Sequence, residues 1–184
     1  MVPSFQNKLT RLYQHDTLLN SRYSKLQILS MNHTNDIQIR KIQKEDYAAW
    51  KLLWKDYLTF YQASLSDAVI DNTFKQLLTP DISPHGLIAV DYNGKIVGLA
   101  HYLFHVTTWA IAPACYLQDL FVDPSARKKH IGSQLMSAVH EAAKQENASL
   151  LHWMTEKDNV TARILYDKVG YETPFIRYKW NEQT

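Results

Sequence analysis

The order strand, two helices, three strands, helix, strand, helix, strand predicts an α/β (α+β) fold in which helices cover the faces of one mixed sheet. Three observations carry that order. Apolar residues recur at helical spacing in four stretches, apolar and aromatic runs bounded by turn residues fill the intervals, and Asn93-Gly94, the strongest hairpin signal in the chain, joins two of those runs. With 184 residues, 46% hydrophobic and 21% charged, the chain is long enough for one domain with a real core and too short for two.

Each element has its own local cause. Ile37, Ile39 and Ile42 are spaced as a short strand, after which Lys44, Glu45 and Asp46 bring acidic residues to a helix N-terminus. Along that helix Tyr47, Trp50, Trp54, Tyr57 and Tyr61 fall at steps of three and four, so they form one aromatic stripe. Trp50 and Trp54 read as core, while Tyr57 and Tyr61, near the far end, can reach a pocket. A second helix over 67–78 stops before Pro80, and a strand over 86–90 turns at Asn93-Gly94 into a strand over 95–105. A further strand over 116–122 ends at Pro124. The helix beginning near Ile131 buries Leu135, Met136, Val139, Ala142 and Ala143. A strand over 150–154, a helix over 160–168 stopped by Gly170, and a last strand over 171–180 complete the series.

Composition excludes several classes of function. Twenty basic residues against 18 acidic ones leave a net charge of +2, too even for a protein with a stable nucleic-acid partner. Cys115 is the single cysteine, which excludes an intramolecular disulfide and a cysteine-rich zinc site and suits the cytoplasm. No apolar run approaches the ~18–20 residues of a membrane span. His101 and His105, four residues apart on one strand, would stand ~13 Å from each other, too far to share an ion, so no metal site is expected. Residues 1–30 form a basic extension in which Lys8, Arg11, Arg22 and Lys25 face only Asp16. A transit peptide, a start placed upstream of Met31 and an additional helix all fit that extension, so the domain is taken as 31–184.

The stretch from Tyr116 to Ser133 carries the chemistry: a strand runs through a loop into a helix whose unpaired amides and dipole suit a phosphate or pyrophosphate. Arg127, Lys128 and Lys129 add charge beside that end, and Gly132 lets the backbone approach a ligand. The segment Arg127-Lys-Lys-His130-Ile-Gly132 resembles the coenzyme A-binding signature of the GNAT N-acetyltransferases, with His130 replacing the first glycine. Asn159-Val-Thr-Ala162-Arg-Ile-Leu-Tyr166, followed by Gly170 and Tyr171, resembles that family's second motif. His105-Val-Thr-Thr-Trp109, the Trp50-Lys-Leu-Leu-Trp54 helix with Tyr57, Phe60 and Tyr61, and Lys168-Val-Gly-Tyr171 followed by Pro174 are similar to the fungal histone and D-amino-acid acetyltransferase group. They are more loosely similar to the spermidine/spermine acetyltransferases.

The resemblance covers roughly residues 36–180 and implies a mostly antiparallel sheet of six to seven strands flanked by about four helices. It implies acetyl-coenzyme A as cosubstrate, bound through Leu120, Phe121, Val122, Arg127, Lys128, Lys129, His130, Ile131, Gly132, Ser133, Asn159, Ala162 and Tyr166. In this reading the fourth strand splays from the fifth, the Val122 amide meets the thioester oxygen, and Tyr166 is the general acid toward the coenzyme A sulfur. Ala162, Leu165 and Val169 account for the buried stripe of their helix, leaving Tyr166 free to project. The polyamine enzymes place a glutamate at the position of Gln118, and an amide cannot accept the ammonium proton, which leaves ordered water as direct base with His105, Glu156 or Tyr61 completing a path. Strand alternation puts Asp119 on one face with Leu117 and Phe121, a structural position unless a bulge re-aims it.

The acceptor is expected to be a primary amine of a small molecule or peptide: polyamine, amino acid, histone-like lysine or aminoglycoside. Tyr57, Tyr61, His105, Trp109, Gln118, Trp153 and Glu156 are the candidate substrate contacts. A non-catalytic acetyl-coenzyme A sensor on the same fold is the alternative. The aromatic, apolar 175–180 stretch is expected to pair or exchange between subunits of a homodimer or larger homo-oligomer.

Overall fold

The computed structural model describes residues 37–79 and 84–180, so the basic extension and Pro80 lie outside the described residues. Five strands form one sheet in the order β1 (Gln38–Lys41), β2 (His85–Val90), β3 (Ile96–His105), β4 (Ala114–Val122) and β5 (Leu150–Trp153). The first four are antiparallel neighbours, and β5 runs parallel to β4. A parallel pair needs a crossover, supplied here by α3 (Ile131–Gln145). The remaining helices are α1 (Tyr47–Phe60), α2 (Asp67–Leu77) and α4 (Val160–Val169).

The sheet has a core on each face. The aromatic stripe of α1 buries Trp50 and Trp54 with Ile70 and Phe74 of α2 against Ile88, Leu99 and Phe121. On the other face Ile131, Leu135, Met136, Val139 and Ala143 of α3 cover Ala89, Val97, Ala100 and Leu117. Such two-sided burial explains why β2 and the first part of β3 are continuously apolar and do not alternate. The hairpin between β2 and β3 is fastened by Asp91, whose Oδ1 accepts from the amides of Asn93 and Lys95 at 2.9 Å each.

The acidic group before α1 has a different role from the one its position suggests. Asp46 is buried and takes a two-pronged contact from the Arg40 guanidinium, at 2.7 and 2.8 Å, with the Gln43 amide as a further donor. Those bonds, led by Arg40, hold its carboxyl below the usual range. Asp123 is held down as well, at about 2, by Lys95 first and then by Ser125. Both folded-state values lie under the unfolded value of about 3.9, so the stability they contribute is complete above that pH and is lost as pH falls through the folded values. Urea midpoints are therefore expected to be flat above pH 5 and to fall between about pH 4 and pH 2. Arg40→Gln should flatten part of that fall.

Three expectations are corrected. The sheet holds five strands among the described residues, because 171–180 forms no strand and runs irregular and exposed beyond α4. Among the described residues no backbone partner lies alongside that segment to make its aromatic residues a strand. For the same reason the stripe on α4 is thinner than its spacing suggests: Ala162 and Leu165 are half-buried, but Val169 is exposed where nothing returns to cover it. Lastly, the register between β3 and β4 slips, with His101 opposite Asp119 but Tyr102 opposite Leu117, so Gln118 is an extra, bulged residue. Leu117 therefore packs on the α3 side and Phe121 on the α1 side, and Asp119 turns toward α1.

Candidate active site

Beyond the bulge β4 and β5 part company. Their pairing spans only Ala114–Leu117 against Leu150–Trp153, whereas β4 stays paired with β3 through Val122. Backbone groups alternate in direction along an antiparallel strand. The Asp123 amide donates to Val97 of β3, so Phe121 and Asp119 also face β3, and Leu120 and Val122 face the gap. Phe121 is thus a packing residue whose amide is spent on the sheet, and the free amides on this edge are those of Leu120 and Val122. The Val122 carbonyl accepts from Arg127 Nε at 3.3 Å, and the Arg127 guanidinium lies 5.9 Å from the centre of the Phe121 ring.

The loop after β4 delivers the α3 N-terminus to that gap. Asp123 caps its 3₁₀ turn by accepting from the Ser125 amide at 2.9 Å, and no side chain caps α3 itself. The Ser133 hydroxyl donates to the His130 carbonyl at 2.7 Å, which turns it away from its own helix's orphan amides. Lys128, Lys129 and His130 are exposed around this end and Ile131 is buried beneath it. A β-carbon on Gly132 would stand 3.2 Å from Leu165 of α4, so glycine here sets how closely two helices meet.

His130 adopts φ 59°, the left-handed conformation a glycine takes without cost. The imidazole is exposed, so the loop keeps its shape and carries the strain in the backbone. His130→Gly is expected to raise stability by about 1 kcal/mol, read from urea unfolding, if its β-carbon is the only cost.

Across the gap stands Tyr166. Its ring packs on Trp153 with centres 5.5 Å apart, and burial, reinforced by Tyr61, pushes its hydroxyl up to about 12, so it keeps its proton through the neutral range. Gly170 closes α4 because a β-carbon there would meet Trp153 at 2.9 Å; its φ of −155° is ordinary extended backbone. Asn159 caps α4 by accepting from the Ala162 amide at 3.3 Å and reaches Thr155 at 3.2 Å. The Tyr61 hydroxyl, just past the end of α1, lies near its amide and near exposed Glu156.

Under the bulge lies a buried polar chain that sequence reading missed. Trp50 Nε1 donates to His101 Nε2 at 3.0 Å, His101 Nδ1 meets Asp119 at 3.0 Å, and the Tyr57 hydroxyl donates to the other Asp119 oxygen at 2.8 Å. Indole is only a donor, so His101 Nε2 accepts and its proton resides on Nδ1, facing Asp119. Burial and the neighbouring Asp119 raise the Tyr57 hydroxyl far above its usual value. Tyr61 packs edge-on against Tyr57 at 5.0 Å, which extends this chain toward Tyr166 of α4.

Of the remaining candidates, Gln118 projects, exposed, from the bulge, and Trp109 sits 89% exposed on the loop after β3, apart from the others. His105 leaves His101 and meets His152 of β5 instead. An open cleft of about 410 Å³ lies between the end of α1 and the β4–α3 loop, lined by Asp56, Thr59, Phe60, Phe121, Pro124 and Arg127.

A strand gap, an uncapped helix end and a protonated tyrosine meet in one place, and a match to the acetyltransferase (GNAT) family model spans residues 47–171, enclosing all of them. The chain belongs to the GNAT acetyltransferase family. It is 34% identical to the D-amino-acid N-acetyltransferase HPA3 of Saccharomyces cerevisiae, over 79% of this chain and 91% of that protein. It is 31% identical to the aminoalkylphosphonate N-acetyltransferase of Salmonella typhimurium, over 59% of this chain and 68% of that one. The aminoglycoside enzyme AAC(6')-Iy, solved with a coenzyme A bisubstrate analogue, shares the fold at TM-score 0.67 and 20% identity, covering 80% of this chain and 98% of its own. As a GNAT N-acetyltransferase the chain uses acetyl-coenzyme A as acyl donor. The residues present fit that donor: an open strand edge for amide groups, exposed lysines, and helix amides without a capping side chain.

Proposed function

We propose that this enzyme acetylates a primary amine of a small molecule by direct attack on the thioester within a ternary complex. The observation that carries the reading is the divergence of β4 from β5 beyond Leu117 and Trp153, with Tyr166 on its far side. The Leu120 and Val122 amides hold the acyl arm, the Val122 N–H stabilises charge growing on the thioester oxygen, and the α3 amides with Lys128 and Lys129 hold the pyrophosphate. Tyr166 gives its proton to the departing sulfur as the amine nitrogen bonds the acyl carbon. Water beside exposed Gln118 takes the ammonium proton, since that amide cannot. Tyr57, Tyr61, Trp153 and Glu156 border the acceptor, and the small-amine activities named for the two relatives support small amines ahead of peptide lysines. The reaction is assigned to the cytoplasm and to the domain 31–184.

A thiol-release assay against D-amino acids, aminoalkylphosphonates, polyamines, aminoglycosides and lysine peptides tests this. Turnover confined to one small-amine class supports it; turnover on lysine peptides alone moves the acceptor to proteins. His130 and the missing carboxylate at Gln118 favour one second reading, an acetyl-coenzyme A sensor, which binding without thiol release from any amine would establish.

The homodimer belongs to this proposal. Among the described residues the outer edge of β5 is unpaired, and Phe175, Ile176, Tyr178 and Trp180 expose their apolar rings and chain nearby in sequence to α4. Such an edge and such a segment favour pairing between copies. Light scattering should give twice the mass of the 184-residue chain, and deletion of 175–184 should return it to monomer.

A further inference from the structure

We propose that Asp119, reached through the Tyr57 hydroxyl, receives the proton that the amine must lose before it attacks the thioester. The inference rests on the acetyl transfer proposed above and gives a destination to the proton that water takes beside Gln118. The amide at 118 cannot hold that proton, and the next residue along β4 is a buried carboxylate. The register slip that bulges Gln118 leaves Asp119 on the α1 side, where the Tyr57 hydroxyl donates to it at 2.8 Å.

The polar chain has one open end. Asp119 and His101 are buried, whereas Tyr57 is half-buried and Gln118 exposed. Inward, the chain stops at the Trp50 indole, whose N–H fills His101 Nε2 and which has no lone pair to carry a proton further. The same bond keeps His101 neutral, so the hydrogen-bond partners of the Asp119 carboxylate are two uncharged donors. Outward, Tyr57 spends its hydrogen on Asp119 and presents the lone pairs of its oxygen to whatever approaches from the acceptor side. Burial first, and then Asp119, holds that hydroxyl far above its usual value, so Tyr57 takes a proton only as it gives its own to Asp119. The other titratable and charged groups around the carboxylate are Tyr61 beside Tyr57 and Tyr116 of β4, with Glu156 near Tyr61 and Arg177 near Tyr116.

In the first transfer an N–H bond of the ammonium breaks and its proton joins the water, the water gives one of its own to the Tyr57 oxygen, and the Tyr57 proton moves to Asp119. The nitrogen is left with the electron pair that bonds the acyl carbon. After that bond forms, a second nitrogen proton restores the Tyr166 hydroxyl, which has given its own to the sulfur. Asp119 returns its proton to solvent by the same route once the product leaves.

Steady-state thiol release across pH, with the amine of the panel above that turns over fastest, tests the relay. Tyr57→Phe keeps the ring packed on Trp54 and Tyr61 and removes only the hydroxyl. It is expected to lower kcat/KM for the amine by about 100-fold near neutral pH while leaving KM for acetyl-coenzyme A unchanged. That deficit should close as pH rises toward the amine's own pKa, where the acceptor arrives as the free base and needs no relay. Asp119→Asn should show the same loss and the same closure, and the double variant no further loss, because the two residues act as one unit. Circular dichroism establishes that each variant is folded, and Tyr57→Phe carries the test by itself if Asp119→Asn is not. A Tyr57→Phe deficit equal at every pH, or no deficit, would overturn the relay and leave Asp119 a structural carboxylate. Absence of thiol release by the wild type from every amine would instead overturn the function proposed above, and the relay with it.

Discussion

Tyr166→Phe is expected to lower kcat by about 100-fold or more while leaving KM for acetyl-coenzyme A nearly unchanged, because a positioned general acid contributes about 10²–10⁴ in rate and little to ground-state binding. The substitution keeps the ring that packs on Trp153 and removes only the hydroxyl, so folding is preserved. Since burial pushes that hydroxyl up to about 12, the wild-type acid remains protonated at neutral pH and its loss appears only as pH approaches that value. In Tyr166→Phe the alkaline limb assigned to the acid should vanish. Steady-state rates across pH, with both substrates varied, read the kcat and KM effects separately. Equal kcat in the two proteins would remove Tyr166 from the chemistry and leave it a packing residue.

The second large effect is on stability. Asp119→Ala would strip the acceptor from the half-buried Tyr57 hydroxyl and the buried His101 Nδ1–H, and open a void under the bulge. Each unsatisfied buried group costs about 1–3 kcal/mol, so a loss of about 3 kcal/mol is expected in urea unfolding. Asp119→Asn keeps one accepting oxygen and should lose less. The polar chain also explains why Trp50 is wholly buried without an orphaned N–H, whereas Trp54, stacked beside it at 5.9 Å, has a buried Nε1 with no partner among the described residues. Trp50→Phe should therefore cost more than Trp54→Phe, because only the former breaks a bond. Equal losses would argue that both indoles contribute packing alone.

The sequence made the fold class, the aromatic stripe of α1, the apolar face of α3 and the hairpin after β2 legible, because each rests on local periodicity or turn chemistry. The element order and two motifs were likewise enough to name a family. What escaped was non-local. The one-residue slip at Gln118 depends on how β4 seats against β3, and it moved Leu117 off the face that Asp119 keeps with Phe121. His101, Asp119 and Tyr57 lie far apart in sequence and meet only across the α1–sheet interface, so no spacing rule couples them. The pairing of His105 with His152 depends on β5 lying parallel to β4. The 171–180 segment has a strand's composition but finds no strand to pair with in the described residues of its own chain. A buried, capped histidine and a bulge opposite it were the missing signals; a single acidic residue beside the glutamine at 118 was their one trace.

A crystal structure with coenzyme A measures the central claim most directly. The account predicts the pyrophosphate against the first-turn amides of α3, the pantetheine arm along Leu120 and Val122 between β4 and β5, and the sulfur within about 3.5 Å of the Tyr166 hydroxyl. Coenzyme A bound elsewhere, such as in the cleft lined by Asp56, Phe60 and Arg127, or with its sulfur remote from Tyr166, would contradict it.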